Sequence, residues 1–594
     1  MFFAQTKKVV PSKIVFRLWI RKHWITLVWS LLGVCALFSI ILGVIGFRKN
    51  LLEVDKGIEY PVTSLIYMTI QLFFMKSGAQ PDPLNWELET ARWLSLAVSS
   101  TTIVQGFLIT FRKQFQEFLC KFKNNHFIIC GFGVKGKLLF DDLVSQGNVV
   151  IVIDKNLAKE DIVKIDYEGA YYLLRDNYAP STFLGISLSK ARGIFITSGE
   201  DINNIQIAEV VSQEVSNQTK KQIKPIDIYV ECQDNRIFKM IAIQSNSQIS
   251  INFHQINTIL SGSRIIIEKF PFDYLLIQEN CNLKVNLIVI GASIDSEAVI
   301  LQLCRLGHFA NLLKPLVTLI CKDSKKWKDQ FLFRFPQVLN IIEIETFEIN
   351  PESCDTKIII SEKSLNSELI PFVFISQQDE EKTISIAMEL NEISQQVKFP
   401  ILVNLKSHQI LKEIILKNYK SNITPINFTE AGCNTAQIFK EELDKIAKMI
   451  HEDYLSTSYI IGRKPFEKPS LRPWDDLDES FRQACRDQAD HISVKLRAIH
   501  CNVEIITDSK KDLTDFVFTD SELEMLSKME HSRWKANRWL EGFVFGEESD
   551  SLKKTSPFLV PWINLEKDIK QFDRNAIKLI PKLLKNAQIQ ISRD

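Results

Sequence analysis

The sequence predicts a helical membrane module, then α/β domains built on parallel sheets, then a mostly α-helical C-terminal domain. Three observations carry that assignment. Residues Trp24 to Phe47 run without a charged side chain, about the length that crosses a hydrocarbon core of ~30 Å. A short apolar strand from His126 leads straight into Gly131-Phe-Gly133-Val-Lys-Gly136. From Leu471 onward the composition turns to helices containing tryptophan, arginine and histidine.

The bulk properties narrow the function classes. With 594 residues the chain has room for several domains. A net charge of +1 offers no electrostatic reason to expect nucleic acid as a partner. The 11 cysteines are scattered, with no Cys-x-x-Cys pair and no histidine at ligand spacing. That pattern argues against structural zinc and a disulfide framework, and fits thiols kept reduced in a cytosol. No metal site is expected.

Lys7, Lys8, Lys13, Arg17, Arg21 and Lys22 precede the first apolar run, so residues 1–23 are expected in the cytoplasm. A signal peptide would have a shorter apolar core and a small-residue cleavage site. A second span is expected from Ala91 to Phe111, with Arg92 and Trp93 outside and Arg112, Lys113 and Lys121 inside. The topology is then in–out–in, in the inner membrane, with both termini cytoplasmic. Between the spans, residues 62–75 are apolar but too short to cross. They read as a re-entrant or interfacial helix, or a buried core helix, begun by Pro61 and ended by Lys76-Ser77-Gly78. Residues 24–111 thus form a two-helix pore domain and 112–125 a linker. One such subunit cannot enclose a path, so a homo-oligomer is required.

Span, short helix, span resembles the layout of potassium channels, and that resemblance implies a homotetramer. Potassium channels carry Thr-Val-Gly-Tyr-Gly, whose carbonyls replace the hydration shell. Here the stretch reads Thr69-Ile-Gln71-Leu-Phe-Phe-Met-Lys76, with no glycine before Gly78. The expected filter is therefore not potassium-type. It is a wider pore lined by Thr69 and Gln71, with Lys76 near the outer mouth. The competing reading is a plain two-helix anchor with an amphipathic linker.

Strand, glycine triplet, helix from Lys137 to Ser145, strand from Asn148 to Ile153 and then Asp154 is the order of a dinucleotide-binding βαβ unit. Glycines permit a tight turn and close approach of a pyrophosphate at a helix N-terminus, and the acid accepts ribose hydroxyls. The stretch resembles the TrkA-N, or RCK, domain that regulates potassium channels and transporters. Arg175-Asp176-Asn177, the strand Gly193 to Thr197 and Asp201-Ile-Asn-Asn204 are further matches. The resemblance implies that Gly131, Gly133, Gly136, Asp154 and Asp176 line a cleft for NAD or another adenine nucleotide. A Rossmann-like scaffold that holds no ligand is the alternative.

The first such domain is assigned to residues 126–280 and a second, degenerate one to 281–420. In the second, Lys284 to Ile290 leads into Gly291-Ala-Ser293-Ile-Asp-Ser296, where serines replace two glycines. Their side chains crowd the pyrophosphate path, and a structural or coupling role is expected. Later strands are expected at Leu316 to Ile320, Lys357 to Ile360, Pro371 to Ile375 and Pro400 to Leu405.

A connecting segment, 421–470, precedes the last domain, 471–594. Glu530-His531-Ser-Arg533-Trp534-Lys-Ala-Asn-Arg538-Trp539, Glu541-Gly-Phe-Val-Phe-Gly546, Leu559-Val-Pro-Trp562 and Phe572-Asp-Arg574-Asn575 together resemble the ryanodine-receptor repeat, or RyR domain, which also occurs in bacterial proteins. His531, Arg533, Trp534, Arg538 and Arg574 are the candidate contacts for a phosphorylated, base-containing ligand such as a nucleotide second messenger. A small aromatic core is the competing reading of the same residues.

No Ser-His-Asp set, P-loop or His-Glu-x-x-His is evident, so no catalytic residue is assigned and no enzyme activity is expected. The function expected is a ligand-gated ion channel whose RCK and RyR domains sense a nucleotide, in a setting such as bacterial antiviral defence. A non-conducting, membrane-anchored nucleotide sensor and an NAD-dependent enzyme are the alternatives.

Overall fold

The computed structural model describes residues 12–54, 60–76, 84–183, 185–218, 225–242, 251–406, 422–440, 442–506 and 515–593. Lys7, Lys8, Ser77 and Gly78 lie outside them. The chain forms two compact units; one ends at Gln255 and the main body of the other begins at Ile256.

The first unit opens with α1 (Ser12–Val54), α2 (Val62–Phe73), α3 (Trp86–Thr110) and α4 (Arg112–Cys120). Small residues let α1 approach its neighbours. A Cβ on Gly46 would lie 2.7 Å from the Leu88 backbone nitrogen of α3, and one on Gly43 would run into the Thr69 side chain of α2. Three hydrogen bonds tie the bundle: Ser39 Oγ donates to the Ala91 carbonyl at 2.9 Å, Asn85 Nδ2 to the Gly46 carbonyl at 2.9 Å, and Ser99 Oγ to the Phe73 carbonyl at 2.8 Å. Lys49 pairs with the buried Glu87.

Among the described residues one helix is long and apolar enough to cross a membrane, over Thr26–Leu52. At about 1.5 Å per residue, α3 has the length for a second crossing, yet it falls short on composition, because serines and threonines crowd it and Glu87, Glu89 and Arg92 open it. The expected short helix stands as α2, starting after Pro61. Its predicted pore-lining residue Thr69 is fully buried against α1, and its hydroxyl donates to the Leu65 carbonyl at 2.8 Å. Within the subunit Thr69 therefore packs between α2 and α1.

An α/β domain follows in the same unit. Its elements are β1 (His126–Cys130), α5 (Val134–Ser145), β2 (Val150–Ile153), α6 (Lys159–Tyr167), β3 (Tyr171–Leu173), β4 (Ala191–Ile196), α7 (Asp201–Gln218), β5 (Ile226–Glu231), α8 (Asn235–Ala242) and β6 (Ile251–Ile256). The strand order is β3-β2-β1-β4-β5-β6, and the pairs from β3 to β5 are parallel. Every residue of β1 and β2 is buried, as required of a sheet covered on both faces. This is the doubly wound Rossmann order, with its switch point between β1 and β4.

The second unit repeats the plan. It contains α9 (Thr258–Lys269), β7 (Lys284–Ile290), α10 (Ile294–Leu306), β8 (Leu316–Cys321), α11 (Ser324–Arg334), β9 (Glu343–Glu348), α12 (Cys354–Leu365), β10 (Leu369–Ile375), α13 (Glu380–Val397), β11 (Ile401–Asn404) and β12 (Ile423–Ile426). The sheet is parallel, ordered β12-β11-β10-β7-β8-β9. One expected strand is corrected: Lys357 to Ile360 lies inside α12. Its three consecutive isoleucines mimic a strand, but Thr356, Ile360 and Ser364 are the buried positions, and spacing by four is helical.

The rest of the chain adds α14 (Phe428–Gly432), α15 (Thr435–Lys440), α16 (Lys445–Ile460), α17 (Glu479–Ala498), β13 (Cys501–Ile505), α18 (Asp520–Leu540), β14 (Val544–Phe545), β15 (Thr555–Ser556), α19 (Lys567–Asn586) and β16 (Ile589–Arg593). β13 and β16 pair antiparallel. These helices pack a small cluster of their own, with Ala447, Ile450, Trp474, Ala489 and Leu583, and also join the core of the second sheet. Val289 of β7 and Leu303 of α10 share one apolar cluster with Ile492, Met529 and Ile577. Buried Arg264 on α9 reaches Asp490 of α17 at 2.6 Å and Asp444 at 2.8 Å.

The α1–α3 contact has a direct test. Gly46→Val is expected to destabilise the detergent-extracted protein by ~1–3 kcal/mol through overpacking. Gly33→Val, where a Cβ meets nothing within 4 Å, is expected to leave the melting temperature unchanged in the same thermal scan.

Candidate functional site

The three glycines after β1 do different work. Gly131 has φ +96, and a Cβ there would lie 2.6 Å from Ser198 Cα. On Gly136 a Cβ would strike the Gly131 carbonyl. Gly133 caps the N-terminus of α5, and a Cβ on it would meet nothing within 4 Å. The first and third glycines therefore close the turn, and the second leaves a bare backbone facing open space where a phosphate can approach the helix dipole.

Asp154 stands at the end of β2. Its carboxylate accepts from Phe132 N and Asn156 N, both at 2.8 Å, so it braces the glycine turn and keeps lone pairs for a ribose. Asp176, after β3, is half-exposed and meets Lys155 at 3.2 Å. The Tyr178 backbone N–H, then Lys155, hold its carboxyl below the usual value. The five sequence-predicted residues thus gather at the carboxyl ends of β1, β2 and β3.

The structure adds contacts that the motif did not assign. Lys135, inside the glycine fingerprint, forms an ion pair with Glu231, the last residue of β5. Asn204, fully buried, accepts from Ser198 N at 2.8 Å and donates to the Glu231 carbonyl at 2.8 Å. Arg175, next to Asp176, meets Glu117 of α4 at 3.1 Å and donates to the Thr182 carbonyl at 2.7 Å. Gln116 of α4 donates to Asp166 at 2.9 Å. The helix that continues from α3 is therefore fastened to the rim of the cleft.

The equivalent turn in the second sheet is filled. Ser293 caps α10, accepting from Ser296 N at 3.0 Å and donating to Ser376 Oγ at 2.8 Å. Ser296 Oγ donates to the Gly291 carbonyl at 2.7 Å. Hydroxyls thus occupy the space that bare glycine backbone leaves open in the first turn.

In the C-terminal helices the predicted ligand residues separate into two groups. His531 and Arg533 are buried. His531 Nε2 meets the Val560 carbonyl at 2.9 Å, and Arg533 lies along Glu530 with Nη2 at 2.7 Å. Their polar groups serve the interior. Trp534, Arg538 and Arg574 are half-buried. The Arg538 guanidinium sits 5.8 Å from the Trp534 ring and that of Arg574 5.8 Å from the Trp562 ring. Arg538 pairs with Glu541 at 2.9 Å and Arg574 with Glu524 at 2.8 Å, so an anionic ligand would compete with carboxylates already in place. Of the remaining pore candidates, Gln71 is half-buried and Lys76 exposed. No group of three or more metal-ligating side chains occurs among the described residues.

Residues 127–236 match the TrkA-N domain. Residues 518–593 match the RyR domain. A "Probable potassium channel protein 2" of Methanocaldococcus jannaschii is 26% identical over 170 residues, which is 26% of this chain and 48% of that protein. The chain thus spans about half the length of the curated relative it matches. Among solved structures, GsuK bound to ADP aligns over 70% of this chain and 99% of its own at 13% identity and a TM-score of 0.37. The GsuK channel bound to NAD aligns over 72% and 85% at 12% identity and 0.38. The human SLO3 gating ring aligns over 54% and 83% at 9% identity and 0.35.

Buried charge is expected to make the C-terminal helices acid-sensitive. Burial acts to raise the Glu530 carboxyl, but the charges of Arg533 and Lys495 outweigh it and lower it to about 2 from an ordinary 4.5. Burial also lowers Lys495 despite Glu530; the Glu530 direction governs, because two cations face one carboxylate. A depressed carboxyl contributes stability above its unfolded value and loses it as pH falls from about 4.5 toward about 2. Glu530→Gln is expected to cost ~3–5 kcal/mol at neutral pH by removing the buried carboxylate that pairs with both Lys495 and Arg533. It should also flatten the fall in melting temperature over that acid range.

Proposed function

We propose that this chain is a subunit of a ligand-gated ion channel, in which a nucleotide bound at the first Rossmann-like domain controls a pore built from α1, α2 and α3. The subunits assemble as a homotetramer in the lipid bilayer, and both termini are cytoplasmic. The domain acts by binding, without turnover, and takes NAD or another adenine nucleotide. One observation carries the reading: α4 joins α3 to the α/β domain and is held by the Arg175–Glu117 ion pair, one residue from Asp176 in the cleft. The matched relative is described as a probable potassium channel protein, which supports a channel role.

Several features favour α3 as the second crossing. Thr101, Thr102 and Thr110 donate to the carbonyls four residues earlier at 2.7–2.8 Å, so these hydroxyls are satisfied within the helix, as lipid demands. α2 has 12 residues, about 18 Å of helix, and suits a dip rather than a crossing. With no glycine filter, the pore is not of the potassium type.

A ligand shifts gating only by binding the open and closed states with different affinity. Full-length protein in planar bilayers is expected to carry currents whose open probability depends on added nucleotide. Complete absence of currents with and without nucleotide would favour the anchored sensor. Glu117→Gln is expected to leave nucleotide affinity within about twofold while reducing the nucleotide dependence of opening by about tenfold, corresponding to a coupling loss of ~1.4 kcal/mol.

A further inference from the structure

The cleft of the first α/β domain is open on one side of its switch point and closed on the other. In a doubly wound sheet a dinucleotide straddles that point, with one nucleotide over β1, β2 and β3 and the second over β4, β5 and β6. Over the first half the bare backbone of Gly133 is open and the carboxylates of Asp154 and Asp176 line the edge. Over the second half Lys135 reaches from the glycine turn to Glu231. β4 lies between β1 and β5 in the sheet, so this ion pair bridges across its carboxyl end.

The bridge is anchored from below. Glu231 is 1% exposed and the Lys135 side chain 21%. Asn204 holds the Glu231 carbonyl with one end of its amide and Ser198 with the other. Thr197 Oγ1 donates to the Gly131 carbonyl at 3.0 Å, fastening the end of β4 to the turn. A second nucleotide laid over β4 would have to break the ion pair that Lys135 makes with the buried Glu231 carboxylate. A terminal phosphate would gain instead, because Lys135 extends the positive end of α5 where a diphosphate ends.

We propose that the Lys135–Glu231 bridge restricts this cleft to a nucleoside diphosphate and excludes the second half of a dinucleotide. The inference deepens the nucleotide-gating reading and rests on it. NAD contains the whole ADP moiety, so the difference between ADP and NAD reports on the second half alone.

The test is isothermal titration of the full-length, detergent-extracted protein with ADP and with NAD. ADP is expected to bind at least tenfold more tightly. The paired substitution Lys135→Met with Glu231→Gln removes both charges together, and is expected to narrow that ratio to about threefold or less, with the fold checked by thermal melting. NAD binding as tightly as ADP to the unaltered protein overturns the inference whether or not the variant folds. An unchanged ratio in a folded variant overturns it too. Silence of both nucleotides would instead overturn the nucleotide-gating reading itself, and this inference with it.

Discussion

Both parallel sheets depend on how closely the N-terminus of a helix approaches the strand before it. In the first sheet nothing but glycine fits at Gly131 and Gly136, since a Cβ at either would meet backbone. That contact seats α5 over β1 and leaves Gly133 facing open space. In the second sheet Gly291 keeps the same positive φ, at +97, while Ser296 sits where the first sheet has its last glycine and hydrogen-bonds the Gly291 carbonyl. The fold survives because the hydroxyl satisfies an acceptor. The open backbone does not survive. A single scaffold thus supplies one turn suited to a phosphate and one sealed by its own side chains.

Electrostatics divides the molecule along similar lines. At the first cleft two of the ion pairs are partly solvent-facing: Lys155 with Asp176 and Arg175 with Glu117. Such pairs can exchange partners when a ligand arrives. In the second unit Arg264, Asp444, Asp490, Lys495, Glu530 and Arg533 are buried or nearly so. Buried pairs cost much to break and little favours their exchange, so they hold the C-terminal helices to the second sheet. The shared apolar cluster does the same. The RyR-matching residues accordingly belong to one body with the second Rossmann-like sheet.

The glycine turn, the acid after β2 and the layout of apolar segments were legible in the chain because each is local. Gly131 to Gly136 is six residues, and its chemistry is set by backbone φ and the missing Cβ. Lys357 to Ile360 misled because three β-branched residues outweigh a helical period that shows only over a longer window. The contact of Thr69 with Gly43 on another helix was not legible, because no local pattern pairs residues of separate helices.

The sequence by itself determined the Rossmann-type order of strands and helices, the place of the phosphate turn and the long apolar helix at the N-terminal end. These follow from periodicity and from residues within a few positions of one another. Tertiary structure alone decided which charges meet. Lys135 and Glu231 are 96 residues apart and Arg175 and Glu117 are 58 apart, and local pattern carries no information about partners at such separations. It also decided that His531 and Arg533 face inward, because the helix period places a residue on a face and only packing says what that face meets.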